Sequence, residues 1–102
     1  MTGESEFIYL IEPVREGMVE KPTEEEAAAV SEHAEYLMRL TEQGVVVLAG
    51  RTTEPPYVGI IIFRAADRTA AEAIMNDDPA VKAGVFTPRL QPFRIALLHA
   101  EA

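Results

Sequence analysis

His33 is the residue best suited to proton-transfer chemistry, because an imidazole takes up and releases a proton near neutral pH. It lies within residues 23–44, where the spacing of apolar residues predicts a helix, and it falls on the flank of the apolar stripe. A side chain in that position is half-sheltered and can reach the edge of a cleft. The position equally suits a histidine that only hydrogen-bonds a neighbour, so both interpretations stay open.

Several other chemistries are disfavoured by residue content and spacing. The chain has no cysteine, which excludes disulfides, thiolate catalysis and cysteine-ligated metals. Ser31 precedes His33 by two residues, so on a helix their side chains point to different faces and make a poor Ser–His nucleophile. The second histidine, His99, is far away in sequence, and no glycine-rich phosphate loop is present. We therefore expect no metal site.

Length and charge limit the class of protein. The 102 residues suffice for one domain, 1–102, and are too few for two. Seventeen acidic against nine basic residues give a net charge of −8, which argues against nucleic acid and anionic membranes as partners. No apolar run is long enough to span a bilayer, and no secretion signal is visible at the N-terminus. We expect a cytoplasmic protein.

The long helix has well-marked ends. Thr23 and Glu26 have the spacing of a capping box, and Gly44 supplies the left-handed residue that ends a helix. One stripe of this helix is predicted to face a core; it consists of Ala27, Val30, Ala34, Leu37 and Met38.

The remaining segments complete a β-α-β-β-α-β order. Strands are predicted at residues 6–12, 45–50, 58–64 and 92–99. A second helix is predicted from a capping box of Thr69 and Glu72 to about Asp77, followed by a short turn closed by Gly84. This order predicts a ferredoxin-like α+β fold, in which two helices cover one face of a four-stranded antiparallel sheet.

The predicted strands are apolar on both faces, although two short helices can cover only one. Phe7, Tyr9 and Ile11 share one face of the first strand, and Ile8 and Leu10 share the other. The uncovered face needs a partner, and a second copy of the chain is the simplest one. We therefore predict a homodimer whose two sheets pack face to face.

The connection at residues 13–22 is long for so small a domain, and long loops often carry function. Arg15 and Lys21 are the cationic groups that it could present to an anion. Solvated loop charges are the simpler explanation for both residues.

Several motifs together resemble the YciI-like (YCII-related) family. They are HAEYLMRLTEQGVVVLAG from His33, DPAVKAGVF from Asp78, and LQPFRIALL near the C-terminus. The resemblance covers essentially the whole chain in the right order. It implies a dimeric α+β barrel of ferredoxin-like subunits, in agreement with the unpaired sheet face.

The resemblance also implies an active site that pairs His33 with Asp78. A carboxylate beside an imidazole fixes its tautomer and raises its basicity, which makes a general acid/base that requires no cofactor. Asp78 also precedes Pro79 and would serve well as an N-cap for the following turn. Capping and catalysis are compatible roles.

Two further residues are candidates for substrate binding. Arg51 stands where the family often has proline, and it could contact an anion. Tyr36, one turn beyond His33, could add a hydroxyl to the cleft, although such a tyrosine also suits a core edge or an interface. The leading hypothesis is a small-molecule enzyme of lyase or isomerase type that uses the His33–Asp78 pair. The alternative is a non-catalytic ligand-binding or assembly module in which His33 is structural.

Overall fold

A computed structural model describes residues 4–99 of the chain. Its elements, in chain order, are β1 (Ser5–Pro13), α1 (Glu24–Glu42), β2 (Val46–Arg51), β3 (Gly59–Ala65), α2 (Arg68–Asn76), α3 (Pro79–Lys82) and β4 (Phe86–Pro92). No helix within this range is long and apolar enough to cross a membrane.

The four strands form one antiparallel sheet in the order β2-β3-β1-β4. The predicted ferredoxin-like plan is therefore confirmed, with β1 in the interior of the sheet. Tyr9 on β1 pairs with Ile61 on one side and with Leu90 on the other, and all three are buried. This shared face carries the core, since strand side chains alternate between the two faces.

The N-terminus of α1 has the capping box that the sequence predicts. The Glu26 amide donates to Thr23 Oγ1 at 3.1 Å, and the Thr23 amide donates to Glu26 Oε1 at 2.9 Å. Gly44 follows the helix with a φ of +79°, a conformation that costs glycine little. Local chemistry alone thus fixes both ends of this helix.

Arg15 anchors the preceding loop to the start of α1. Its guanidinium donates twice to the Glu26 carboxylate, at 2.9 and 2.7 Å, and once to the Lys21 carbonyl at 2.8 Å. The hydrogen bond from Arg15, followed by that from the Thr23 backbone, lowers the pKa of Glu26 to about 2. Arg15 is therefore committed to a structural ion pair.

We expect this lowered pKa to appear in the acid stability of the protein. Below about pH 4.5, where an ordinary glutamate titrates, the unfolded chain takes up a proton that folded Glu26 does not accept until about pH 2. The free energy of unfolding therefore falls through this window, and Glu26→Gln should make the fall shallower while lowering stability at neutral pH. Urea unfolding at several pH values measures both. The exposed Glu35 on the same helix provides the control, Glu35→Gln, and equal acid slopes for the two variants would contradict the assignment.

The predicted bounds of the last strand, residues 92–99, are wrong. Strand β4 is Phe86–Pro92, and residues 93–99 have no regular secondary structure. The segment's Pro88 and Pro92 argue against a strand by propensity, but β4 lies at the edge of the sheet, where missing amide donors are tolerated. The apolar alternation of residues 93–97 follows the pattern of a strand. Pro92 already pairs with Phe7, however, and β1 begins at Ser5, so little of β1 is left for these residues to pair with.

The predicted cap of the second helix is also wrong. Helix α2 begins at Arg68, and its N-cap is Asp67, whose side chain accepts from the Ala70 amide at 2.9 Å. Asp67 has the extended backbone that an N-cap requires, whereas Thr69 lies inside the first turn. The predicted short turn after Asp78 is confirmed as α3, with Gly84 at a φ of +74°.

The stripe of α1 that was predicted to face a core lines an open cavity instead. Four residues of the stripe are exposed, namely Ala27, Val30, Ala34 and Met38. The fifth, Leu37, packs against the core. The helix turns Ala29 and Leu40 toward the rest of the protein, with His33 between them on that side. The stripe includes larger side chains as well as Ala27 and Ala34, and together they leave the space between α1 and the sheet unfilled.

Candidate functional site

Asp78 is held in a fully buried position between α2 and α3. It is the N-cap of α3, and its Oδ1 accepts from the Ala80 amide at 2.9 Å. Pro79 at the first helical position fixes the chain direction there. The predicted capping role of Asp78 is confirmed, yet a cap on a small domain is usually exposed, and this side chain has no accessible surface.

Two further donors from distant elements complete the surroundings of this carboxylate. The Tyr9 hydroxyl donates to Asp78 Oδ2 at 2.7 Å from the centre of the sheet. From α1, His33 Nδ1 lies 2.7 Å from Oδ2 and 2.9 Å from Oδ1. The structure therefore brings His33 and Asp78 together across 45 residues of sequence, as the resemblance implied.

Tyr9 is a permanent donor in this cluster. Its side chain is fully buried, and burial, followed by the charge of Asp78, raises the pKa of Tyr9 far above its ordinary value. The phenol therefore keeps its proton at every physiological pH. Asp78 thus accepts hydrogen bonds from the two fixed donors Tyr9 and Ala80, and its remaining capacity is directed at the imidazole.

The contact with Asp78 sets the orientation of the His33 ring. A carboxylate at Nδ1 favours the tautomer with the proton on Nδ1, so that Nε2 carries the lone pair. The ring packs edge-on against Phe86, with 5.5 Å between ring centroids, and 13% of the His33 side chain is exposed. Because His33 lines a cavity, Nε2 is the nitrogen left for a ligand.

That cavity lies between α1 and the helix-covered face of the sheet and has a volume of about 930 Å³. Its walls are mostly apolar, with Ile11, Ile61 and Phe86 from the sheet and Val30 and Leu37 from the helix. Its polar lining residues are Ser31, His33, Thr41, Glu42, Arg51 and Tyr57. Such a site suits a small organic molecule that meets few polar groups.

Gly59 makes room for a neighbouring side chain in the cavity wall. A Cβ at this position would lie 2.6 Å from Ile11 Cγ1 and 2.9 Å from Ile11 Cδ1. The Ile11 side chain therefore lies over Gly59, in the space that any larger residue at this position would need.

The structure separates the three residues predicted to bind substrate. Arg51 lines the cavity beside Tyr57, with its guanidinium 5.8 Å from the centre of the Tyr57 ring. The Tyr36 hydroxyl instead donates to the Ile74 carbonyl at 2.6 Å, and Tyr36 is not among the residues that line the cavity. Arg15 lies outside the cavity in its ion pair with Glu26.

The surroundings of Tyr36 keep it a structural donor. Burial, followed by the charges of Asp77 and Asp78, raises the pKa of Tyr36 to about 12. Its hydroxyl therefore ties α1 to the end of α2 rather than facing a ligand.

Sequence reasoning missed two members of the site, Tyr9 and Phe86. Tyr9 was interpreted as one of three core residues on its strand face, and Phe86 fell outside the predicted strands. A signal for Tyr9 was present, because a tyrosine on a fully buried strand face needs a hydrogen-bond partner for its hydroxyl. Nothing local identified Asp78 as that partner, since 69 residues separate the two.

Within residues 4–99, no group of three or more His, Asp or Glu side chains is arranged to hold a metal ion. The buried polar atoms of the His33 cluster are all hydrogen-bonded within the described part of the chain.

A match to a protein-family model shows which family the chain belongs to. The YCII-related domain matches residues 7–91, which include β1, the His33 helix, Asp78 and nearly all of β4. The chain belongs to the YCII-related domain family. No curated protein is significantly similar to it in sequence.

Several solved structures have the same fold as this chain. A 5-chloro-2-hydroxyhydroquinone dehydrochlorinase from Burkholderia phenoliruptrix AC1100, in complex with 2,5-dihydroxybenzoquinone, is 16% identical with a TM-score of 0.65, over 86% of this chain and 93% of that one. An uncharacterized protein from Thermotoga maritima is 12% identical with a TM-score of 0.56, over 89% and 99% of the two chains. A variant of a cofactor-independent oxygenase from Streptomyces nogalater is 16% identical with a TM-score of 0.50, over 97% and 99%. At these identities the likeness establishes the fold alone.

Proposed function

We propose that this YCII-related protein is a small-molecule enzyme in which His33 is the general acid/base and Asp78 orients it. One observation carries the proposal: the imidazole lines an apolar cavity while its Nδ1 atom contacts a fully buried carboxylate. A purely structural histidine has no need of a cavity at its second nitrogen. A general base needs that arrangement, because its lone pair must reach the substrate.

The arrangement suits proton transfer followed by elimination or isomerisation. His33 Nε2 takes a proton from a carbon or hydroxyl of the substrate, and the electron pair left behind forms a new double bond. In an elimination this electron pair expels a leaving group as an anion; in an isomerisation the proton returns at another atom. The imidazolium formed meanwhile lies beside the Asp78 carboxylate, which stabilises its charge.

The structural neighbours agree with chemistry of this kind on this fold. One of them is named as a dehydrochlorinase acting on a chlorinated hydroxyhydroquinone, and another as a cofactor-independent oxygenase. Elimination on a hydroxylated aromatic ring is the nearest analogy for this chain, and it is an analogy at the level of fold.

Deuterium incorporation tests the proposal. A panel of halogenated and hydroxylated aromatic compounds is incubated with the protein in D₂O, and products and recovered substrates are analysed by mass spectrometry. We expect turnover, or deuterium exchange at one carbon, with the wild type and neither with His33→Ala. Equal activity in both proteins, or none with any compound, would remove the catalytic role of His33.

A non-catalytic ligand-binding module is the second candidate, and one observation favours it. Asp78 already caps α3 and accepts from Tyr9, so stability alone can explain why this acid is buried. Such a module would bind compounds in the cavity without changing them. Binding of panel compounds by the wild type, with no turnover and no exchange, would favour this function.

We also propose that the protein acts as a homodimer that forms through the uncovered face of the sheet. By strand alternation this face carries Ile8, Leu10, Leu48, Ile60 and Ile62, while all three helices pack on the opposite face. Ile62 pairs with both Ile8 and Leu48, which places it at the centre of the apolar patch. Exposed apolar surface of this extent favours burial against a second copy.

A charge at the centre of this face should separate the subunits. We expect the wild type to sediment at twice the 11.2-kDa mass of the chain and Ile62→Glu to sediment as a monomer with retained helical signal. Ala28→Glu, on the exposed side of α1, is the matched control and should remain dimeric. A monomeric wild type, or a dimeric Ile62→Glu, would contradict the proposed interface.

A further inference from the structure

Arg51 is a positive charge on the cavity wall, and it forms no ion pair within the part of the chain that the structure describes. Elsewhere in the described chain three arginines have one: Arg15 lies beside Glu26, Arg64 beside Glu6, and Arg68 beside Glu72. Within residues 4–99, the Arg51 guanidinium has only a 3.4 Å hydrogen bond to the Thr52 carbonyl and the Tyr57 ring below it. Four other cations, Lys21, Arg39, Arg89 and Arg94, also lack an ion pair within residues 4–99, but none of them lines the cavity.

The register of the sheet directs Arg51 into the cavity. Two residues before it, Ala49 pairs with the buried Ile61, and residues two apart on a strand share a face. Arg51 itself pairs with Gly59, which lies on the same face as Ile61, two residues further along β3. The arginine therefore projects from the helix-covered face, toward the same space as His33.

The same register places Arg51 and His33 on opposite sides of that space. One row across the four strands consists of Arg51, Gly59, Ile11 and Pro88. The Cα atoms of Arg51 and Pro88 are therefore three strand spacings apart, about 14 Å. His33 packs on Phe86, two residues from Pro88 on the far strand. A ligand of one or two rings has the size to reach from one group to the other.

The cavity lining between Arg51 and His33 determines which kind of ligand the cavity can bind. The floor is apolar, formed by Ile11 and Ile61, and the facing helix contributes Val30 and Ala34. The acid of the lining, Glu42, lies at the end of α1, four residues before the first residue of β2, whereas Arg51 ends that strand. The other acid of this region, Glu20, interacts with the Tyr57 hydroxyl and does not line the cavity. Arg51 and Glu42 therefore lie at opposite ends of β2.

We infer that the cavity takes an organic anion with a flat apolar body, whose carboxylate or other anionic group Arg51 binds while the rest of the molecule extends toward His33. The inference rests on the proposed function for the role of His33, but the selection by charge is a property of Arg51. The Tyr57 ring holds the guanidinium from one face and leaves its N–H edge for the anion.

Matched probes of the same shape test the charge selection. Calorimetry at low ionic strength compares 2-naphthoate with the uncharged 2-naphthamide. We expect the wild type to bind the carboxylate about tenfold more tightly, since hydrogen bonds to a charged group are the stronger ones. Arg51→Gln should abolish this preference, and Arg51→Lys should restore part of it. Arg68→Gln, on α2 and outside the cavity, is the control and should keep the full preference.

The outcomes separate this inference from the proposed function. Equal affinity of the wild type for the two probes, an undiminished preference in Arg51→Gln, or no binding of either probe would overturn the anion site. His33→Gln should bind 2-naphthoate within a few-fold of the wild type, because the charge contact does not depend on the imidazole. A preference for the carboxylate that survives in His33→Gln therefore supports the anion site even if no turnover is found.

Discussion

Replacing Asp78 with alanine is expected to lower the free energy of unfolding by roughly 3–5 kcal/mol, a large part of the stability of a small domain. The substitution leaves the buried Tyr9 hydroxyl and the Ala80 amide without their acceptor, at about 1–3 kcal/mol for each unsatisfied group. It also removes the N-cap of α3. Urea unfolding followed by circular dichroism measures the change.

The neighbouring Asp77 provides a matched control for this prediction. Its side chain is 67% exposed and lies 3.9 Å from Lys82, so Asp77→Ala should change stability by about 0.5 kcal/mol or less. The loss of unfolding free energy in Asp78→Asn should lie between the losses in the two alanine variants. The amide keeps the shape of the side chain and one acceptor, but it also presents N–H donors to Tyr9 or His33. Similar values for Asp77→Ala and Asp78→Ala would show that the buried cluster does not stabilise the fold.

Replacing His33 with glutamine is expected to reduce kcat by about 10²–10⁴-fold, the usual contribution of a positioned general acid/base. Glutamine can still donate a hydrogen bond toward Asp78, so its unfolding midpoint should stay near that of the wild type. It has no basic nitrogen for the cavity, and the loss should therefore fall on kcat more than on KM. Steady-state kinetics on the best compound of the panel, together with thermal unfolding, measures both quantities.

The second histidine gives the control for this experiment. His99 is exposed beyond the last strand and lies outside the cavity, so His99→Gln should leave both rate and stability unchanged. A rate for His33→Gln within about threefold of the wild type, with His99→Gln equally active, would contradict general acid/base catalysis by His33.

Tyr9 contacts Asp78 and is not among the residues that line the cavity. Its hydroxyl and the Ala80 amide hold the carboxylate in place, and the carboxylate in turn holds the imidazole. Three secondary-structure elements must therefore dock correctly before His33 has its orientation. Positioning of this kind ties the candidate chemistry to the stability of the whole domain.

The sequence by itself determined the elements whose ends depend on local chemistry. The capping box of Thr23 and Glu26, the glycine at position 44 and the Asp78–Pro79 cap act over a few residues, so their types suffice to predict them. The order of helices and strands then left one plausible sheet topology. The partners His33 and Asp78 came from the family resemblance rather than from any local rule.

Only the tertiary structure decided which contacts join distant residues. The Tyr9 hydroxyl contacts Asp78 across 69 residues, and the apolar stripe of α1 borders a cavity instead of packing into the core. The last strand is Phe86–Pro92 despite two prolines, since β1 offers its free side there and a sheet edge tolerates missing donors. Hydrogen-bond partners and empty space depend on how whole elements pack, and that information is not contained in any short stretch of sequence.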